Sequence, residues 1–190
     1  MSTIFIDDKT YTKVDFSKSP LAIGEYDSCT FKDCNFSKAH LATINFIDCT
    51  FEACDLSLVI FKNTILNNVK FSNCKMLGVD FSVCNPFCFT INCVNCSLDM
   101  SLFYKMNLKG MTFDSCSLHN VEFTEANLSQ VNFYKCDLKN AIFDRTILVE
   151  TDFSTAVNYT IDLEKCTSNN TVFSKDGITG LLEKYAINII

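Results

Sequence analysis

The residues of this 190-residue chain with the widest chemical reach are its twelve cysteines, since a thiolate can attack, oxidise to a disulfide or ligate zinc. One pair, Cys93-x-x-Cys96, has the spacing of a redox or zinc motif. No second such pair accompanies it, so its spacing alone does not make a zinc site. The two histidines, His40 and His119, have no serine, cysteine or carboxylate at a spacing that suggests a triad. The five glycines form no phosphate-binding loop. The chain therefore reads as non-enzymatic, with no catalytic residue, no metal site and no cofactor.

What positions the cysteines is a five-residue repeat. From Leu118 to Phe153 every fifth residue is Leu or Phe in strict alternation: Leu118, Phe123, Leu128, Phe133, Leu138, Phe143, Leu148 and Phe153. Ten cysteines (Cys29, Cys34, Cys49, Cys54, Cys74, Cys84, Cys96, Cys116, Cys136 and Cys166) stand two residues before such a centre, where Ala, Val or Thr stands in other units. Cysteine there acts as a small hydrophobe, and burial among apolar groups makes it a poor nucleophile. Cys34, Cys54, Cys74, Cys96, Cys116 and Cys136 are expected to stack along one wall as free thiols.

A period of five fits neither a helix nor a strand. If each unit is one short extended side followed by a corner, four units close a square and the chain climbs as a solenoid. Centres run from Phe16 to Phe81 without a miss. The phase then slips by two residues between 82 and 97, with a bend expected at Asn85-Pro86, and holds again from Leu98. Identical walls recur every twenty residues. The fourth wall is an aromatic core ladder of Phe31, Phe51, Phe71, Phe113, Phe133, Phe153 and Phe173.

Residues 1 to about 13 match the repeat poorly and read as a lead-in that covers the bottom of the core. Asn158 and Ser168 stand where large apolar residues are expected, so the last coil degrades. The reading is all-β, with about eight coils over 1–175 and a tail over 176–190. Ser174 or Asp176 can cap a short helix in that tail, with Ile178, Leu181, Leu182 and Tyr185 on one face and Ile187 and Ile189 continuing as an apolar end. This face is expected to form a homodimer contact; a simple cap over the top coil is the other reading.

Net charge is −6 with a pI near 4.8, which argues against direct nucleic-acid binding. Sorted by wall, the first and fourth are neutral. The second carries Asp80, Glu122, Glu125, Asp144, Asp162 and Glu164 against Lys62, Lys105, Arg145 and Lys165, and the third carries Glu25, Asp27, Asp48 and Glu150 against Lys109. One side of the rod is therefore expected to be negative and suited to a basic partner. No run of about 18 apolar residues and no leader-like segment occurs, so a cytoplasmic protein without a membrane partner is expected.

Units such as Ala126-Asn127-Leu128-Ser129-Gln130 and Cys136-Asp137-Leu138-Lys139-Asn140 resemble the A(D/N)LXX consensus of the pentapeptide-repeat proteins, over almost the whole chain. The resemblance implies a right-handed quadrilateral β-helix. The length, the Pro86–Cys88 interruption and the aliphatic C-terminal tail are similar to the gyrase-protecting branch, which comprises Qnr-type quinolone-resistance proteins and a microcin-immunity protein. That likeness implies a homodimer that mimics duplex DNA and binds DNA gyrase, with topoisomerase IV as a second target, and so counters quinolones or a gyrase-poisoning toxin. The chain departs from Qnr-type proteins in having no long loops. A non-catalytic interaction scaffold with an unrelated partner is the alternative.

Overall fold

Twenty residues separate each side chain from the one stacked upon it, as in Thr30↔Thr50, Phe31↔Phe51 and Phe113↔Phe133. The computed structural model describes residues 4–188, and in it this pairing repeats into an all-parallel β-solenoid of about eight turns. One wall is a nine-stranded parallel sheet of Thr10–Thr12, Thr30–Lys32, Thr50–Glu52, Val69–Ser72, Ile91–Val94, Thr112–Asp114, Asn132–Tyr134, Asp152–Phe153 and Val172–Phe173. An adjacent wall is a four-stranded sheet of Ile4–Asp7, Gly24–Asp27, Asn45–Ile47 and Ile65–Asn67. The other two walls are ladders of single bridges, among them Asp15↔Asn35 and Glu122↔Ile142.

Each place in the five-residue unit has a separate physical task. The centre fills the core: Phe31, Phe51, Phe123 and Leu138 are fully buried, and stacked rings lie 4.7 Å apart at Phe31–Phe51 and 5.4 Å apart at Phe103–Phe123. The small residue two places earlier is buried and is often a donor to the coil below. Cys54 Sγ donates to the Phe31 carbonyl (3.3 Å), Cys136 Sγ to Phe113 (3.3 Å), Thr64 Oγ1 to Leu41 (2.7 Å) and Thr146 Oγ1 to Phe123 (2.9 Å). Cys and Thr thus do more than fill space, which reading cysteine only as a hydrophobe misses; each gives a buried carbonyl a partner.

The Asp or Asn before the centre folds the corner. Its side-chain oxygen accepts the backbone N–H two residues on, as in Asn35 from Ser37 (3.0 Å), Asp55 from Ser57 (2.9 Å) and Asn127 from Ser129 (3.0 Å). The residue two after the centre takes a left-handed backbone, for example Asp33 at φ 53°, Asp48 at 51° and Glu125 at 58°. That conformation costs about 1 kcal/mol or more for an L-residue. The ladder offsets the cost, because the corner N–H donates to the next coil: Asp33 to Glu52 O, Asp48 to Asn67 O and Glu125 to Asp144 O, each 2.9 Å.

Two parts of the chain differ from the sequence reading, and the position of the slip narrows within it. The supposed lead-in is a coil in full register, with Ile6 under Tyr26 and Tyr11 stacked on Phe31 at 5.0 Å. The gap in the fourth-wall ladder is filled by Cys93, which pairs with Phe71 below and Phe113 above. The offset between coils is 20 up to Asn85, whose N–H meets Thr64 O, 22 across the interruption, where Ile91 lies over Val69, and 20 again where Thr112 lies over Asn92. The two extra residues therefore sit in 86–90, where Phe87 is exposed and Phe89 turns into the core against Phe81. The four-stranded sheet ends directly below this bulge.

At the top, Asn158 adopts the left-handed conformation and Tyr159 supplies the missing core aromatic, 5.5 Å from Phe153 and 5.7 Å from Phe173. The tail crosses over Tyr159 as one short irregular helix, Asp176–Ile178, Thr179–Leu182 and Glu183–Tyr185. Ser174 Oγ accepts the Gly177 N–H at 3.0 Å and starts it. Gly177 and Gly180 are required there: a Cβ on either would collide with Tyr159.

Candidate interaction surface

The histidines come first, because the solenoid gives one of them neighbours that spacing conceals. His119 Nε2 lies 3.0 Å from Asp137 Oδ2 on the coil above. Its backbone N–H donates to Asp99 Oδ1 (3.0 Å), which also accepts Ser117 Oγ (2.6 Å). Although partial desolvation opposes it, hydrogen bonds from Asn158 and the Lys139 N–H, together with the His119 ring 3.0 Å away, hold the Asp137 carboxyl below its usual range. The serine points at a carboxylate rather than at the imidazole, so the three groups do not form a nucleophilic relay. Cys93 and Cys96 are buried in the core, where the hydrogen bond with Cys96 and then burial hold the Cys93 thiol well above its ordinary pKa, and burial pushes Cys49 up to about 12. Twelve free thiols are present, and only Cys88 is exposed.

The ten acids of the second and third walls divide into two groups. Glu125 meets Arg145 (3.0 Å) and Lys105 (3.3 Å), and Asp144 meets the other face of Arg145 (3.0 Å). Asp162 and Glu164 both hold Lys184 of the tail, and Tyr185 Oη donates to Glu164 Oε1 at 3.1 Å. Hydrogen bonding from Lys184 is the main cause that lowers both carboxyls. These four acids are neutralised locally and tie the solenoid together.

Asp80, Glu122, Glu25, Asp27, Asp48 and Glu150 have no ion-pair partner among the described residues. Three are steadied by neutral amides of the next coil: Glu25 by Asn45 (3.3 Å), Asp48 by Asn68 (2.6 Å) and Glu150 by Gln130 (2.8 Å). A neutral donor fixes a carboxylate without cancelling its charge. Two further acids join them. Asp7 lies directly under Asp27, and Asp8 takes the corner below Ser28, so the lower end of the third wall carries Asp7, Asp8, Glu25, Asp27 and Asp48 together. The twenty-residue offset from Asp27 is the signal that would have found them.

The apolar tail also divides. Leu181 packs against the core and Leu182 is half-buried, whereas Ile178, Tyr185 and Ile187 remain exposed; Ile189 lies outside the described residues. The helix caps the top coil with one edge and leaves the other open. No helix among the described residues is long and apolar enough to cross a membrane.

A family model described as "Pentapeptide repeat region" matches residues 25–95 and 91–154. Among solved structures, the chain is similar to a trypsin-treated form of QnrB1, a plasmid-mediated fluoroquinolone resistance protein, at 18% identity over 99% of this chain and 98% of that one, with a TM-score of 0.49. It is also similar to HetL from the cyanobacterium Nostoc sp. strain PCC 7120, a pentapeptide repeat protein involved in heterocyst differentiation regulation, at 16% identity over 90% and 84% of the two chains, with a TM-score of 0.61. The HetL likeness is one of fold. No curated protein matches the chain.

Proposed function

We propose, from the premise that this chain belongs to the pentapeptide-repeat family, that it acts as a DNA mimic whose acidic flank engages the DNA-binding surface of DNA gyrase, and of topoisomerase IV as a second target. The observation that carries this reading is the set of carboxylates with no ion-pair partner among the described residues on the second and third walls, Glu25, Asp27, Asp48, Asp80, Glu122 and Glu150, each steadied by a neutral donor or held on the ladder. A surface that binds duplex DNA is basic and releases counterions when it binds. A rigid acidic rod offers that surface fixed negative charge without a base sequence to read. The choice of gyrase comes from the likeness to the gyrase-protecting branch in the Pro86–Cys88 interruption and the aliphatic tail. In this reading the exposed edge of the tail, Ile178, Tyr185 and Ile187, joins two copies into a homodimer, and competition with DNA relieves a quinolone or a gyrase-poisoning toxin.

The test is binding to immobilised gyrase across a salt series. Affinity that falls steeply with added salt, and that is competed by duplex DNA, supports the mimic. Salt-independent binding, or no binding at a large excess, contradicts it.

A further inference from the structure

On the second wall, the residues before the centres form one column that, above His40, alternates aliphatic and acidic side chains: Ile60, Asp80, Leu102, Glu122, Ile142 and Asp162, with Asp80↔Leu102, Leu102↔Glu122 and Glu122↔Ile142 paired directly. Ile60, Leu102 and Ile142 are 40%, 37% and 45% exposed. The neighbouring corner column repeats the banding. Leu58 stands beside Ile60 and Met100 beside Leu102, both exposed, whereas Gly78 accompanies Asp80 and Asn120 accompanies Glu122; the corner banding ends there, since Asn140 stands beside Ile142. Leu58 leans over Gly78, where an added Cβ would come within 2.9 Å of its Cδ2. A groove of about 740 Å³ opens here, lined by Leu58, Ile60, Gly78, Asp80 and Val83, with Lys62 at its edge making no ion pair to Asp80.

We infer that this wall is a docking site for a basic amphipathic α-helix lying along the rod. Like bands recur every two coils, about 9.6 Å apart at the strand spacing of 4.8 Å. Two helical turns advance a chain by about 10.5 Å over seven residues. The mismatch is about 1 Å per repeat, within side-chain reach over the distance from Ile60 to Ile142, so aliphatic residues seven apart can sit on Leu58/Ile60 and Met100/Leu102 while arginines or lysines midway between them meet Asp80 and Glu122. An extended strand has no matching step, since like-facing residues recur at about 6.8 Å. Duplex DNA would leave the aliphatic bands against phosphates. The charge pattern decides the sign of the partner: Asp80 and Glu122 have no cation of their own among the described residues. The inference rests on the acidic flank being the contact surface and names the element that it contacts, a helix; it holds for gyrase or for any other protein that carries such a helix.

The probe is a fluorescein-labelled synthetic helical peptide of about 18 residues with leucine at every seventh position and arginine pairs midway between, compared with a permuted peptide of the same composition and helicity. Anisotropy with the full-length protein should show binding of the first and at least about tenfold weaker binding of the second. Glu122→Gln and Leu102→Asn, each checked for unchanged melting, should both weaken the first peptide by about tenfold or more. Equal binding of the two peptides, or sensitivity to Glu122→Gln with none to Leu102→Asn, would reduce the effect to bulk charge and overturn the inference, as would no binding. Peptide binding with no gyrase binding would sink the gyrase reading alone; gyrase binding with no peptide binding would sink this inference alone.

Discussion

Cys54 Sγ and the carbonyl oxygen of Phe31 lie 3.3 Å apart although 23 residues separate them in sequence, and the thiol donates downward to the coil below in the same way as Cys74 to Phe51 and Cys136 to Phe113. The cysteine column is thus a ladder of buried donors.

Removing one donor leaves a buried carbonyl with less satisfaction and a small void. Cys54→Ala is expected to destabilise by about 1–2 kcal/mol, and Cys54→Thr, which restores a donor of similar size as at Thr64, by less. Urea unfolding of the two variants measures the difference; an Ala variant as stable as wild type would show that the thiol only fills space.

Core centres should be far more sensitive than corners. Phe123→Ala is expected to cost about 3–5 kcal/mol, because Phe123 stacks between Phe103 and Phe143 at 5.4 Å on each side. Lys139→Ala, at an exposed position, should change unfolding little.

How much of this was open to sequence reasoning follows from the repeat itself. The centres, the four walls and the two-residue slip are legible because Leu and Phe recur at a spacing that neither a helix nor a strand uses. Cys93 is not, since a small residue at a centre breaks the pattern that marks centres. Nor are Asp7 and Asp8, because the first coil uses Ile6 and Tyr11 where Leu and Phe are sought. The His119–Asp137 pair is hidden for a different reason: contacts lie about one coil apart, and motif spacings describe contacts within a strand, loop or helix. Charge could be assigned to walls but not to partners, and the ion pairs of Glu125 with Arg145 and of Asp162 with Lys184 appear only once the corners and the tail have positions.

Acid should loosen the solenoid. Asp137, Glu125, Asp162 and Glu164 have carboxyls held below their usual range. Each stabilises the folded chain above its unfolded pKa, and that contribution is lost as pH falls through the folded value. Melting temperature should be nearly flat from pH 7 to about 5 and fall below about pH 4, with a shallower fall in Asp137→Asn. Stability that rises on acidification would contradict the assignment.

The tail prediction separates cap from dimer. Gly180→Ala forces a Cβ into the Tyr159 carbonyl and should displace the cap, at a cost of about 1–3 kcal/mol. Ile178→Glu with Ile187→Glu leaves the cap in place and charges only its exposed edge. Light scattering should then report a dimer for the native chain and a monomer for the charged variant. A charged variant that stays dimeric would place the contact elsewhere.

The most direct test of the central claim is gyrase supercoiling, titrated with the native protein and with a variant carrying Glu25→Gln, Asp48→Asn, Asp80→Asn and Glu122→Gln, with and without ciprofloxacin. The account predicts that the native protein inhibits supercoiling or protects it from the drug, that added salt weakens the effect, and that the variant, folded to the same melting temperature, loses most of it. Gyrase activity and drug sensitivity unchanged at a large excess of native protein, or an equal effect from the variant, would contradict it.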